Sequence, residues 1–409
     1  MTALADAVLP LIRTREDLHR WSTANRHGAR MHEAVDTLVD AAATADPAEL
    51  YTVTHRALAS AIKVIARSDD SSGIIGDACR RLLGLHPQAA AAADVAPARL
   101  VDWMIKFQFD GDVDYFELDP VAYAPALGAT GMVSYRARLA AVEAGLGSRP
   151  STAGRWTSEH SHEWFVLDWN AKRLAVLDHD VDAIVRTHAK DRRVAAWLHD
   201  AARAFAEIGE PGHAIDWARQ ALDTGPQHQS LAAADYWCTL LQEHRPEHVL
   251  DARLLIFRRW PTSATAASLH RAAGVTWPEL HDEVLTALAD SPREAVGFTL
   301  RTLENVQHAW ELAHSLDLQD DRTWADLTAA YEKIDPLAVL PVLTELVEND
   351  LTVADARNYR SAARRLAHMR RLVHGTARSD EIDTLVAEIR EAHRRRPRLQ
   401  QELDRAGLP

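Results

Sequence analysis

Two histidines stand two positions apart in EHSHEW, His160 and His162, and Asp178, His179 and Asp180 follow in LDHD. Imidazole and carboxylate are ligand types for a divalent metal, and a metal-bound water would make the chemistry hydrolytic. Against that, the His-x-His pair lacks the following Asp-His of metallo-β-lactamase-like sites, and 21 histidines make chance pairs common. His160, His162 and His179 are therefore metal candidates only, and a solvated polar segment is the preferred reading.

Other spacings start a motif and fail to finish it. DGDVDYFELD at Asp110 to Asp119 sets carboxylates at the first, third and fifth places of a calcium loop. Tyr115 then takes the place of the turn glycine and Val121 that of the bidentate glutamate, so an acidic interhelical loop is expected. SDDSSGIIGD at Ser68 to Asp77 reads as a loop capped into a helix whose N-terminus suits an anion, but Asp69, Asp70 and Asp77 repel phosphate. His244 and His248 have Pro246 between them, which sets them astride a turn rather than on one metal-binding helix face. No P-loop, dinucleotide or nucleophile-elbow string occurs. Cys79 and Cys238 lie in apolar helical patterns and read as core thiols. No cofactor is expected.

Charge carries the strongest asymmetry. The 409 residues hold 46 Lys and Arg against 59 Asp and Glu, a formal charge of −13. Residues 357–409 hold 13 arginines against 7 acidic residues, a balance of +6 that leaves −19 on the rest. Arg357, Arg360, Arg364, Arg365, Arg370 and Arg371 suggest a basic helix, and Arg394, Arg395, Arg396 and Arg398 a basic turn. Either can meet phosphate or an acidic protein, and either can dock on the chain's own acidic body. Whole-chain acidity opposes strong non-specific nucleic-acid binding, which grows with the number of phosphates neutralised. Twelve tryptophans could line a stacking groove; at helical spacing, Trp197, Trp217, Trp237, Trp260, Trp277, Trp310 and Trp324 read as core.

The elements that must position these residues are helices. Apolar side chains recur three and four apart at Leu50, Val53, Ala57, Leu58, Ala61, Ile62 and Ile65, and again at Val194, Trp197, Leu198, Ala201, Phe205 and Ile208. The β-like patches WFVLDW and DYFEL are too short and isolated to build a sheet, so the fold class is all-α. Prolines 211, 226, 246, 261, 278 and 292 fall about one helix and one turn apart. Val194 to Thr224 reads as a helical hairpin, and HAID at His213 is echoed by HVLD at His248 and EVLT at Glu283. Both offsets are 35 residues, close to a tetratricopeptide period, which predicts an α-solenoid of stacked hairpins with degenerate repeats. An N-terminal helical block at 1–145, a linker at 146–168 rich in Gly, Ser and Thr, and a repeat domain at 169–409 are expected.

DVDAIVRTHAKD at Asp180 to Asp191, AEIGEPGHAIDWARQAL at Ala206 to Leu222 and EAHRRRPRLQQELDRAGL at Glu391 to Leu408 follow one another in an order that resembles the helical C-terminal region of bacterial SWIM zinc-finger proteins. DDSSGIIGDACRRLLGLH and YFELDPVAYAPALG add to the likeness upstream, to related uncharacterised proteins. The resemblance implies helical repeats. Its zinc motif, Cys-x-Cys then Cys-x-His, is absent.

The opening MTALADAVLPLIRTRED lacks a cationic leader, and the longest uncharged runs fall short of the roughly 18 to 20 apolar residues that span a bilayer. Two distant cysteines fit a reducing compartment. The expectation is a cytoplasmic, non-enzymatic scaffold that binds a protein partner and no membrane. The alternatives are a nucleic-acid-associated factor using the Arg-rich end and a metal-dependent hydrolase.

Overall fold

The computed structural model describes residues 2–111, 113–150 and 159–409, and every regular element among them is helical. The packing divides the chain into two compact units, one up to Leu240 and one from Leu241. In the first unit α1 is Ala3–Ile12, α2 Trp21–Ala41, α3 Pro47–Ile65, α4 Ile74–Ala92, α5 Pro97–Phe109 and α6 Pro120–Gly145. Then come α7 Ser161–Leu177, α8 Val181–Ile184 running into a π-helical turn Val185–Ala189, α9 Ala195–Glu207 and α10 Pro211–Ala221. The division falls within α11, Gln227–His244.

In the second unit α12 is Val249–Arg259, α13 Ser263–Ala273, α14 Trp277–Leu288, α15 Pro292–Arg301 and α16 Val306–Ser315. They are followed by α17 Asp321–Tyr331, α18 Leu340–Thr352, α19 Ala356–Leu372, α20 Ser379–Ala392 and α21 Pro397–Arg405. Within each unit most helices pack on a sequence neighbour and several also on the next but one, as α1 does on α2 and α3, and α15 on α16 and α17. That is the arrangement of an α-solenoid built from hairpins. No helix among the described residues is long and apolar enough to cross a membrane.

Local chemistry explains where the rods start. Pro47 opens α3 at a position where its missing N–H is no loss, and the Asp46 carboxylate accepts from the Glu49 amide at 2.9 Å. The buried face of α3 is the predicted stripe from Leu50 to Ile65. Each of the six prolines read as a boundary stands at one: Pro211 and Pro292 open α10 and α15, Pro278 lies in the first turn of α14, Pro246 opens a 3₁₀ turn, and Pro226 and Pro261 just precede α11 and α13. The α2–α4 crossing is close: a Cβ on Gly28 would lie 2.5 Å from Ile74 Cγ2.

Two expectations need correction. The segment 146–168 is not a linker throughout: Ser161 onward is helix α7, with Trp164, Val166 and Leu167 buried, although 151–158 lie outside the described residues. Gly and Ser around position 150 have a linker's composition, and the apolar residues that bury α7 begin only at Trp164. The 35-residue offset is not a structural period either. HAID and HVLD lie at helix starts, but α10 is the second helix of its hairpin with α9 while α12 is the first of its hairpin with α13, and EVLT lies in mid-α14.

Candidate functional site

Most of the Arg-rich end is engaged with its own unit. Glu402 on α21 is almost fully buried, and its Oε1 lies 2.9 Å from both Arg398 Nη2 and Arg405 Nη1, with Arg360 Nε 3.8 Å from Oε2. Arg365 pairs with Asp350 at 3.0 Å and Arg370 with Asp383 at 2.7 Å, Arg394 pairs with Glu391, and Arg396 donates to the Leu351 carbonyl at 2.8 Å. Arg390 ties α20 to the chain end through Gln400, Asp404 and the carbonyls of Leu408 and Pro409.

Four guanidiniums differ. Arg357, Arg364, Arg371 and Arg395 are exposed, and none has a carboxylate within ion-pair reach among the described residues. The first three recur every seventh position on α19. Seven residues return within about 20° of the same helix face, so they form one ridge roughly 21 Å long.

Arg371 is held from behind. Its Nη2 lies 3.4 Å from His368 Nδ1, and His368 Nε2 lies 2.6 Å from Glu332 Oε2. Arg370, Arg371, His374 and Ser379 line a cleft of about 560 Å³ whose apolar wall includes Ala367 and Leu408.

The metal candidates are not brought together. His162 donates from Nε2 to the Gln108 carbonyl at 2.8 Å, and His160 pairs with Glu163 at 3.3 Å. His179 follows the C-terminus of α7, so His162 and His179 are separated by about 25 Å of helix. Among the described residues no group of three or more His, Cys, Asp or Glu side chains could hold a metal ion.

In the calcium-like loop, Asp112 lies outside the described residues, and Asp119 caps α6 through the Val121 amide while taking Arg173 at 2.8 Å. The anion position at the start of α4 is filled by the chain itself: Asp70 accepts from the amides of Ile75 and Gly76 at 2.9 and 2.8 Å. Gly73 supplies the left-handed residue at φ +78° that starts this helix.

Cys79 is buried, which pushes its thiol up to about 12, and Cys238 is buried as well. None of the seven helical tryptophans is exposed. Lys190 covers Trp197, Arg192 covers Trp217, Arg219 covers Trp237 and Arg259 covers Trp260, while Trp310 stacks on Tyr331 at 4.3 Å. They serve as core and cation platforms, not as an open groove.

Two polar clusters in the first unit left no motif in the sequence. His55 Nδ1 lies 2.9 Å from His86 Nε2, and His86 Nδ1 lies 2.9 Å from the Tyr123 hydroxyl, inside a cage of Tyr51, Trp103 and the rings themselves. Burial pushes His86 down to about 3, lowers His55 together with the Arg99 charge, and raises Tyr123 well above its usual value. All three are therefore neutral at pH 7. Tyr123 donating to His86 and His86 donating to His55 satisfies the chain.

Beside it in the same unit, Gln108, Tyr135 and Asn170 close a ring. Gln108 Nε2 donates to the Tyr135 hydroxyl at 2.8 Å, that hydroxyl donates to Asn170 Oδ1 at 2.6 Å, and Asn170 Nδ2 donates to Gln108 Oε1 at 2.9 Å. Their positions, 27 to 62 residues apart, follow no sequence period.

The chain belongs to a family described as a family of unknown function, DUF6880, whose model matches residues 9–399. No curated protein matches it. Among solved structures it is similar to a circular tandem repeat protein with novel repeat topology and enhanced subunit contact surfaces, at 13% identity over 98% of this chain and 93% of that one, with a TM-score of 0.16.

Proposed function

We propose that the protein is a cytosolic, non-enzymatic helical scaffold that binds a protein partner with an acidic face. The observation behind this reading is the ridge of Arg357, Arg364 and Arg371. Arginines around it are neutralised from within, whereas these three keep their charge for something outside the unit. Exposed guanidiniums with no carboxylate partner add nothing to fold stability through ion pairing and are suited to charge-complementary docking.

A second reading, association with nucleic acid, draws on the same ridge and on the resemblance to the SWIM-associated region, with a partner supplying the zinc module. The formal charge of −13 and the internal pairing of Arg365, Arg394 and Arg398 leave it fewer phosphate contacts.

Affinity capture from the native host followed by mass spectrometry, then reconstitution of the recovered protein with purified chain, tests the scaffold reading. A defined complex that weakens in Arg357→Glu/Arg364→Glu is expected. Recovery of abundant unrelated proteins alone, with no complex on reconstitution, would overturn it. Retention of DNA or RNA at about 50 mM salt, where phosphate contacts are strong, would favour the second reading.

A further inference from the structure

We infer that the cleft between α19, the start of α20 and residues 406–408 is a recognition site for a phosphoserine or phosphothreonine side chain of a partner protein. The proposal deepens the scaffold reading and rests on it. A phosphate monoester carries about −1.5 to −2 charge and three strong acceptor oxygens, and it selects sites where guanidinium donors are already fixed in place.

The cleft meets that requirement. Arg370 donates from Nε and Nη2 to Asp383 and from Nη1 to the Gly407 carbonyl, at 2.7, 3.4 and 3.5 Å. Three of its five N–H groups are thereby used, which fixes the planar head and leaves two donors uncommitted. Arg371 has no carboxylate partner, and its head is steadied by His368, itself held by Glu332. His374, one turn further on, is exposed and lines the same space with the Ser379 hydroxyl.

Two neighbouring arginines held by separate supports, an imidazole and a hydroxyl give donors from four side chains around one volume. Of the nearby acidic groups, Asp383 is engaged by Arg370 and Glu381 by Arg378, and neither they nor Asp380 line the cleft.

The source of the phosphate follows from the rest of the wall. A nucleotide or single strand draws much of its binding from stacking on aromatic side chains. Here the lining beyond the polar groups is Ala367, Ala406, Gly407 and Leu408, small and aliphatic, with His374 the one ring among the described lining residues. That wall suits the aliphatic stem and flanking backbone of a peptide. The Arg364 and Arg357 heads continue along α19 away from the cleft and would receive acidic residues on one side of the phosphorylated position.

The test uses the full chain and a fluorescein-labelled peptide bearing one phosphoserine with several glutamates on one side, followed by fluorescence anisotropy. The unphosphorylated peptide and a single-stranded oligonucleotide serve as comparisons. The phosphorylated peptide should bind at least about tenfold more tightly than its serine form, the scale of one charge-assisted contact, and inorganic phosphate should compete. Arg371→Gln and His374→Gln, both at exposed positions, should each remove most of that preference with circular dichroism unchanged.

Equal binding of the two peptides, a preference that survives Arg371→Gln, or tighter binding of the oligonucleotide would overturn the proposal. Phosphatase treatment of the reconstituted partner separates the two readings. A complex that persists after treatment sinks this site and leaves the scaffold standing, whereas absence of any complex, with or without phosphate, sinks the scaffold reading.

Discussion

Glu402 and Arg398 face each other across one turn of α21, Oε1 to Nη2 at 2.9 Å, with the carboxylate buried and the guanidinium partly in water. Arg405 reaches the same oxygen and Arg360 approaches the other, so one anion gathers three cations from α19 and α21. Removing one member of a buried pair costs about 3–5 kcal/mol, and the half-exposed state of these arginines scales that down. Glu402→Gln should therefore lower stability by about 1–2 kcal/mol. A urea-unfolding midpoint equal to that of wild type would show that the cluster is incidental.

His86 makes stability depend on pH. The unfolded imidazole binds its proton below about 6.5, whereas the folded one stays neutral down to about 3. Between those values the unfolded state holds more protons, so stability falls as pH falls, by up to about 1.4 kcal/mol per unit from this group. His86→Phe should cost about 1–3 kcal/mol at pH 7, since it strips partners from Tyr123 and His55. The difference between wild type and His86→Phe should shrink from pH 7 to pH 5, measured by denaturant unfolding at both. A constant difference would contradict the assignment.

Tyr135→Phe removes a single oxygen that two partners use. The Gln108 amide keeps the Met104 carbonyl but loses the acceptor of its second N–H, and Asn170 Oδ1 loses its donor, both buried. Leaving buried polar groups unpaired costs about 1–3 kcal/mol each at most, so a total loss of about 2–4 kcal/mol is expected. Thermal unfolding of the variant, with an unchanged far-ultraviolet spectrum at 20 °C, checks it; a melting temperature equal to that of wild type would mean the ring contributes nothing.

Gly28→Ala sets two effects of opposite sign against each other. Alanine in a helix is favoured over glycine by about 0.5–1 kcal/mol. The new methyl would meet Ile74 Cγ2 at 2.5 Å, and overpacking of this kind costs about 1–3 kcal/mol. The clash should win, giving net destabilisation. A stabilised variant would reveal that α2 and α4 can separate without loss.

The helices were legible because their information is local. Three-and-four spacing found α3 and α9, and proline marked six boundaries because its ring and missing N–H act within one turn. What joins helices was not legible. The partner of His368 is 36 residues away, that of Arg396 is 45, and that of Arg173 on α7, Asp119 just before α6, is 54. No spacing rule reaches so far, so a string of arginines reads as one basic patch when most of its members are paired within their own unit. Trp164 and Leu167 read as linker for a related reason, since a glycine and serine tract precedes them while their own burial is decided by helices far upstream.

Asp70 at the start of α4 behaves as a ligand that can never diffuse away. An outside oxyanion would have to evict a carboxylate tethered five residues from its own docking amide, an intramolecular rival present at high effective concentration whatever the solution contains. Millimolar phosphate should leave that helix end untouched, and a response to anions would have to arise where the chain supplies no resident competitor.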